Sequence, residues 1–249
     1  MYVEKEIPIY DFVLAISEAV DLVSPVLNSH HNRVAYIAYR ISHRMKLPND
    51  EIQDIVLASM LHDIGAFSTG ERIKALAFES VDSELNEHAL MGHKLLKNFA
   101  PLSIASTLIK YHHADYDETR DDIPLGSYII HLADKICILF NDQTEILTQV
   151  PKLLEKLSQK AHKFHPDTIT ILAQLAKFEY FWLEAFSPIF NNSTLKRVLS
   201  SKKIIDLQTL RSFAKLIAQI IDFRSRFTAT HSHGVAAVAQ ELTVISGFS

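Results

Sequence analysis

At 249 residues the chain can hold one large domain, or one domain and part of another. With 48% hydrophobic residues, 22% charged residues and only 6 glycines, it is composed like a helix-rich globular protein, not a disordered segment or a turn-rich β fold. A net charge of −4 without a long basic run excludes the electrostatic footprint of a nucleic-acid or anionic-membrane binder.

The single cysteine, Cys137, excludes an internal disulfide and fits a reducing compartment. The opening MYVEKEIPIY lacks the apolar core of a secretory signal. The longest apolar stretch, residues 127–140, is broken by His131, Asp134 and Lys135, so no segment is expected to span a bilayer. The expected location is the cytoplasm.

In chain order, Phe12, Val13, Ile16, Val20 and Val23 recur at helical spacing over residues 8–23. A longer helix is predicted over residues 25–45, with Val26, Val34, Ile37, Ala38 and Ile41 on one face. LPNDEIQ supplies a turn and a cap, Asn49 or Asp50, for a third helix through Ile64. Gly65 and Gly70 bracket a loop, and helices are predicted over residues 84–99 and 103–113. The polar, acidic HADYDETRDDIP reads as a solvated loop before a helix starting near Pro124. From Lys152 onward three more amphipathic helices follow, with a break at SPIFNNS. No window sustains strand alternation, so the predicted class is all-α.

One internal repeat is visible: Asp21-LVSPVLNS-His30-HNRVAYIA resembles Asp222-FRSRFTAT-His231-SHGVAAVA. The second copy runs out at Ser249, before anything equivalent to the segment around His62. Two units are therefore expected: residues 1–186, and residues 187–249 as a linker and the start of a second, incomplete copy. The face of Val235, Val238, Ala239 and Leu242 is expected to pack on the first unit or on a neighbouring chain, giving a homodimer or a contact with a further domain.

Among the 13 histidines, placement matters more than number. His30 lies on the apolar stripe of its helix, His62 follows Ala58 and Ile55 at helical spacing, and Asp134 is flanked by Ile130, Ala133, Cys137 and Ile138. An ionised aspartate on a buried face is costly unless it is paired or ligates a metal. A lone buried histidine is usually only hydrogen-bonded. Several together with aspartates make a set suited to first-row transition metals. The pair His62-Asp63, then His88 one turn before Gly92, then His112-His113 at a helix end complete the ordered set.

The strings HHNRVA, LHDIG, HALMG, YHH and IPLGSYIIHLAD, with FHPD later, resemble the catalytic domain of HD-GYP proteins, in the HD superfamily of metal-dependent phosphohydrolases. The resemblance covers roughly residues 21–186. It implies an HD-type helical bundle, followed here by the first helices of a truncated HD-like repeat. By position, it implies that His30, His62, Asp63 and Asp134 hold one metal and His88, His112 and His113 the other, with Asp63 bridging. His31, His43, His93, His131, His162, His165 and His233 are expected outside the ligand set, with His93 and His131 closest to it.

The implied cofactors are two divalent transition-metal ions, iron or manganese first, with zinc, cobalt or nickel as further candidates. The implied activity is hydrolysis of a phosphodiester or nucleotide resembling cyclic di-GMP, by hydroxide attack between two metals. Asp63 is the central catalytic residue. The partner is thus a small phosphoester, with no nucleic acid and no membrane.

Two departures separate the chain from the resemblance. Ala66 stands where the family carries a lysine after HDIG, and ADYDETRDDIP keeps Asp117 and Thr119 but lacks the Gly-Tyr-Pro element. Val26 stands where some members place a glutamate for a third metal, which favours a binuclear site. These departures also support an alternative: a sensory or regulatory HD module that binds metal and turns over little.

Overall fold

The computed structural model describes residues 7–21, 29–66, 82–200, 204–205, 207–224 and 226–247. Regular structure among them is helical, apart from a two-residue antiparallel pair in which Ile7 faces Ile205 and Pro8 faces Ile204. The bundle is built from α1 (Ile9–Asp21), α2 (His30–Arg44), α3 (Asn49–Leu61), α4 (Asp82–Leu96), α5 (Ser103–Lys110) and α6 (Leu125–Leu139). Then come α7 (Ile146–Gln159), α8 (Pro166–Leu175), α9 (Glu179–Ala185), α10 (Pro188–Leu199), α11 (Leu207–Arg224) and α12 (Arg226–Ile245).

The central helix is α6. Its sequence is apolar nearly all round, so it cannot lie on a surface, and residues 126–137 are all buried. It packs against α2 and α3. A Cβ at Gly126 would meet Ile55 at 2.8 Å and Leu108 at 3.1 Å, so the first turn of α6 sits close against α3 and α5.

Several boundaries differ from those expected. The helix expected from residue 25 begins at His30, because Ser29 adopts a left-handed backbone (φ 63°). Residues 22–28, including Val26, lie outside the described residues, as does Gly70. Neither Asn49 nor Asp50 precedes α3 as a cap. Asn49 is already helical, and Pro48, with fixed φ, leads into the first turn. SPIFNNS is no break: the corner is Ser187, and Pro188 occupies the first turn of α10, where a missing N–H costs nothing.

α10 packs on α1, α2 and α3, burying Asn191, Leu195 and Leu199. Tyr10 donates to the Asn192 carbonyl (3.1 Å), Asn32 to the Asn192 side chain (3.0 Å), and Gln53 to the Val198 carbonyl (2.9 Å). The core therefore continues through Leu199. Beyond it, α11 contacts α4 and buries Leu216, and α12 folds back on α11. The apolar face of α12 does not cover the first unit, as one expectation had it. Val235, Val238 and Leu242 are 55–60% exposed. No helix among the described residues is long and apolar enough to cross a membrane.

Candidate metal centre

Each candidate side chain sits where a helix begins, ends or is crossed, and the bundle brings these places together. The left-handed Ser29 starts α2 abruptly and puts His30 in its first turn, with Arg33 N–H closing on the Ser29 carbonyl at 3.0 Å. α3 stops at Leu61, and His62 and Asp63 lie in the following turn, held by Ile64 N–H to Leu61 O (3.0 Å) and Ala66 N–H to Asp63 O (2.9 Å). That turn lies directly on α4. A Cβ at Gly65 would stand 2.1 Å from the His88 carbonyl oxygen and 2.4 Å from Gly92 N, so only glycine lets the two segments touch. Gly92 leaves room on α4 for Ile64 and for Ile109 of α5. His112 and His113 fall in the turn that ends α5, and Asp134 lies on α6.

All seven candidate side chains are brought together. His30 Nε2 is 3.2 Å and His62 Nε2 3.6 Å from Asp134 Oδ1. Asp63 divides its two oxygens: Oδ2 lies 3.3 Å from His62 Nε2, whereas Oδ1 lies 3.1 Å from His88 Nε2 and 3.8 Å from His112 Nε2. His88 Nε2 is 3.4 Å from His112 Nε2 and 2.9 Å from His113 Nε2. Two groups result, each compact enough to hold a metal ion: His30, His62 and Asp134, and Asp63, His88, His112 and His113. His31, expected outside, forms a third such group with His62 and Asp63.

The hydrogen bonds behind these atoms fit a cation. His62 Nδ1 faces the Ser59 carbonyl (2.9 Å) and His112 Nδ1 the Ile109 carbonyl (2.7 Å). A ring that donates through Nδ1 keeps its Nε2 lone pair for the centre. Imidazole nitrogens turned toward one another repel unless a proton or a metal lies between them. Meanwhile His30 Nε2, His62 Nε2, Asp63 Oδ1 and Asp134 Oδ2 are buried without a hydrogen bond, a state that buried polar groups rarely keep. The donor set and these orphaned atoms fit divalent transition metals.

Charge is strongly coupled here. Burial opposes charging of His62, but Asp63 and Asp134 more than offset it and raise its pKa to about 9. Burial also opposes ionisation of both aspartates. The histidines beside them prevail and hold each carboxyl well below the usual range. Burial, reinforced by neighbouring histidine charge, keeps His112 and His113 neutral.

The loop after the paired histidines is tied to the same centre. His131 Nδ1 faces the Ala114 carbonyl at 2.8 Å, next to His113, and its ring stacks edge-on against Phe164. Asp115 pairs with Lys163 (2.7 Å), and Tyr116 N–H reaches the Lys163 carbonyl (2.9 Å). His93 Nδ1 faces the Ser106 carbonyl at 3.1 Å, which ties α4 to α5. His131→Phe would keep the ring and lose the N–H. It should weaken metal uptake about tenfold, the lower end for loss of a supporting hydrogen bond, as read by competition with a fluorescent chelator. Unchanged affinity would show that Ala114 does not position His113.

Residues 28–139, the stretch that holds all seven candidate side chains, match the family model of the HD domain. Among curated relatives, the chain is 25% identical over 256 aligned positions to the 3'3'-cGAMP-specific phosphodiesterase 1 of Vibrio cholerae, a match covering 96% of this chain and 59% of the relative. It is 22% identical over 187 positions to a cyclic di-GMP phosphodiesterase of Thermotoga maritima, covering 67% of this chain and 50% of the relative. The chain thus spans only half to three-fifths of those relatives' length. A crystal structure of a V. cholerae cyclic GMP-AMP-specific phosphodiesterase shares the fold, with a TM-score of 0.72 at 17% identity over 96% of this chain and 67% of that one.

Proposed function

We propose that the chain is a two-metal phosphodiesterase acting on a cyclic dinucleotide. The observation that carries this reading is the division of Asp63, whose two carboxylate oxygens face different histidine groups. His30, His62 and Asp134 with Asp63 Oδ2 would hold one ion, and His88, His112 and His113 with Asp63 Oδ1 the other. Iron or manganese suits this set best. The substrate class rests on the names of the two curated relatives, both cyclic dinucleotide phosphodiesterases.

When bound, two divalent ions supply Lewis acidity for the phosphoryl oxygens and make a water acidic enough to react at neutral pH. The chain's own residues do the rest. Asp63 sets the separation of the two positions, and the carbonyls of Ser59 and Ile109 fix the orientation of His62 and His112. Beside His113 opens a cleft of about 910 Å³, lined among others by Lys110, Tyr111, Tyr116 and Arg120, with room for a nucleotide ligand.

The five carboxylates of residues 115–122 repel an anionic ligand less than their number implies. Asp115 is paired with Lys163 and Asp122 with Arg120, and Asp117 accepts hydrogen bonds from Thr119. The HD-GYP subclass rests on the motif strings alone. Residues 187–249 fit a linker and the start of a second, incomplete HD-like unit. Their exposed face would serve contact with a further domain or a second copy.

The alternative, a metal-binding regulatory module with little turnover, is favoured by Ala66, a buried methyl where the family carries lysine. One experiment separates the two. Protein purified without chelators is analysed for metal, then assayed with manganese or iron against cyclic di-GMP, 3'3'-cGAMP and bis(p-nitrophenyl) phosphate. The phosphodiesterase reading expects chelator-sensitive hydrolysis, slower than about 1 s⁻¹. Bound metal without turnover of any substrate would establish the regulatory module instead, and protein that takes up no metal would sink both.

A further inference from the structure

Lys135 follows Asp134 on the buried central helix and is itself only 7% exposed. Its Nζ lies 3.9 Å from Asp134 Oδ2, beyond hydrogen-bond reach, and this is its one ion pair among the described residues. The side chain is largely buried, yet its ammonium has a single distant anion beside it among the described residues.

Its position is specific. His30 and His62 approach Asp134 through Oδ1, whereas Lys135 lies on the Oδ2 side. Its charge bears on His113, in the other histidine group, and on His131 as well as on Asp134. The 3.9 Å separation from Asp134 Oδ2 places the ammonium beside the His30, His62 and Asp134 group. The cations that line the cleft are engaged with neighbours: Arg120 with Asp122, and Lys110 with the Tyr111 hydroxyl.

Occupancy of the site sharpens the imbalance. A metal ion at His30, His62 and Asp134 would draw the Asp134 charge to itself and leave Lys135 without an effective partner. Two carboxylates set against two divalent cations and an ammonium leave a surplus of positive charge in a closed space. A phosphodiester anion supplies both the missing charge and acceptors for the N–H groups.

We propose that Lys135 is the phosphate-binding cation of this site, donating from Nζ to a non-bridging oxygen of the phosphodiester held between the two histidine groups. The proposal rests on the phosphodiesterase reading. It gives the site a cation from α6, in place of one following the His62-Asp63 turn, where Ala66 offers only a methyl group.

The test compares the unmodified chain with Lys135→Met, Lys135→Arg and Asp63→Ala, all manganese-loaded. Lys135→Met should keep its metal by elemental analysis yet bind inorganic phosphate at least about tenfold more weakly by calorimetry. Its kcat/KM for bis(p-nitrophenyl) phosphate should fall on the order of 10²-fold, as when one transition-state donor is removed. Lys135→Arg should recover part of both losses. Phosphate affinity and kcat/KM unchanged in Lys135→Met overturn the proposal, and so does loss of metal from that variant, which would make Lys135 a structural partner of Asp134. A measurement on the unmodified chain avoids any folding defect. With zinc bound and lysines ¹³C-labelled, inorganic phosphate should shift one lysine Cε resonance, assigned by its absence in Lys135→Arg; no such shift also overturns the proposal. Hydrolysis undiminished in Asp63→Ala would instead refute the phosphodiesterase reading itself.

Discussion

Asp63→Ala is expected to empty both metal positions at once and to lower phosphodiester hydrolysis by on the order of 10²–10³-fold. The reason is geometric. Oδ2 stands 3.3 Å from His62 Nε2 and Oδ1 3.1 Å from His88 Nε2, so one side chain serves both groups. Its removal also leaves the histidines facing one another with no anion between them. His30→Ala, by contrast, should affect one position only, because among the carboxylates of the described residues His30 approaches Asp134 alone. Elemental analysis of both variants beside steady-state rates makes the comparison. Should Asp63→Ala retain two metals per chain, the bridging role is wrong.

Gly65→Ala should be the most damaging single methyl in the fold. The added carbon would lie 2.1 Å from the His88 carbonyl oxygen and 2.4 Å from Gly92 N, both backbone atoms of α4. Neither can rotate away as a side-chain end can, so the turn carrying Asp63 must separate from the helix carrying His88. The expected cost is about 3 kcal/mol, the upper end for overpacking, read by urea denaturation of the metal-free protein. Impaired metal uptake should accompany it. Gly234→Ala is the matched control: nothing lies within 4 Å of its missing Cβ, and it sits inside α12. There alanine should be neutral, or stabilising by up to about 1 kcal/mol through helix propensity. Equal effects at the two positions would show that the Gly65 contact is not close.

Much of the candidate site was legible because its residues violate local pattern. His30, His62 and Asp134 interrupt apolar stripes, and helices tolerate buried polar groups only when something engages them. Gly92 one turn after His88 likewise marked a close approach, which proved to be the turn at residues 62–65. What stayed hidden depends on where the chain bends. His31, expected outside the ligand set, lies close to His62 and Asp63, and nothing in the residue string announces the left-handed Ser29 before it. The segment SPIFNNS suggests a break, yet its Pro188 begins α10, since a proline's meaning depends on which side of it the helix lies. The core contribution of α10 was missed for a related reason: Asn32, Asn191 and Asn192 look like surface polar residues until their partners are placed. Lys135 read only as an interruption of an apolar stretch.

The two histidine groups differ in how far along the chain their members lie. His88, His112 and His113 come from α4 and the end of α5, consecutive helices that pack on one another and are joined by a short 3₁₀ turn. His30, His62 and Asp134 come from α2, the end of α3, and α6, which meet only when the whole bundle is assembled. An ion in the first group would lose its three histidines, though not Asp63, when one local hairpin opens, a sub-global event well below the cost of unfolding. An ion in the second group is trapped until the core itself comes apart. The pair should therefore be kinetically unequal, with one metal exchanging readily against added isotope and the other retained almost as long as the native state.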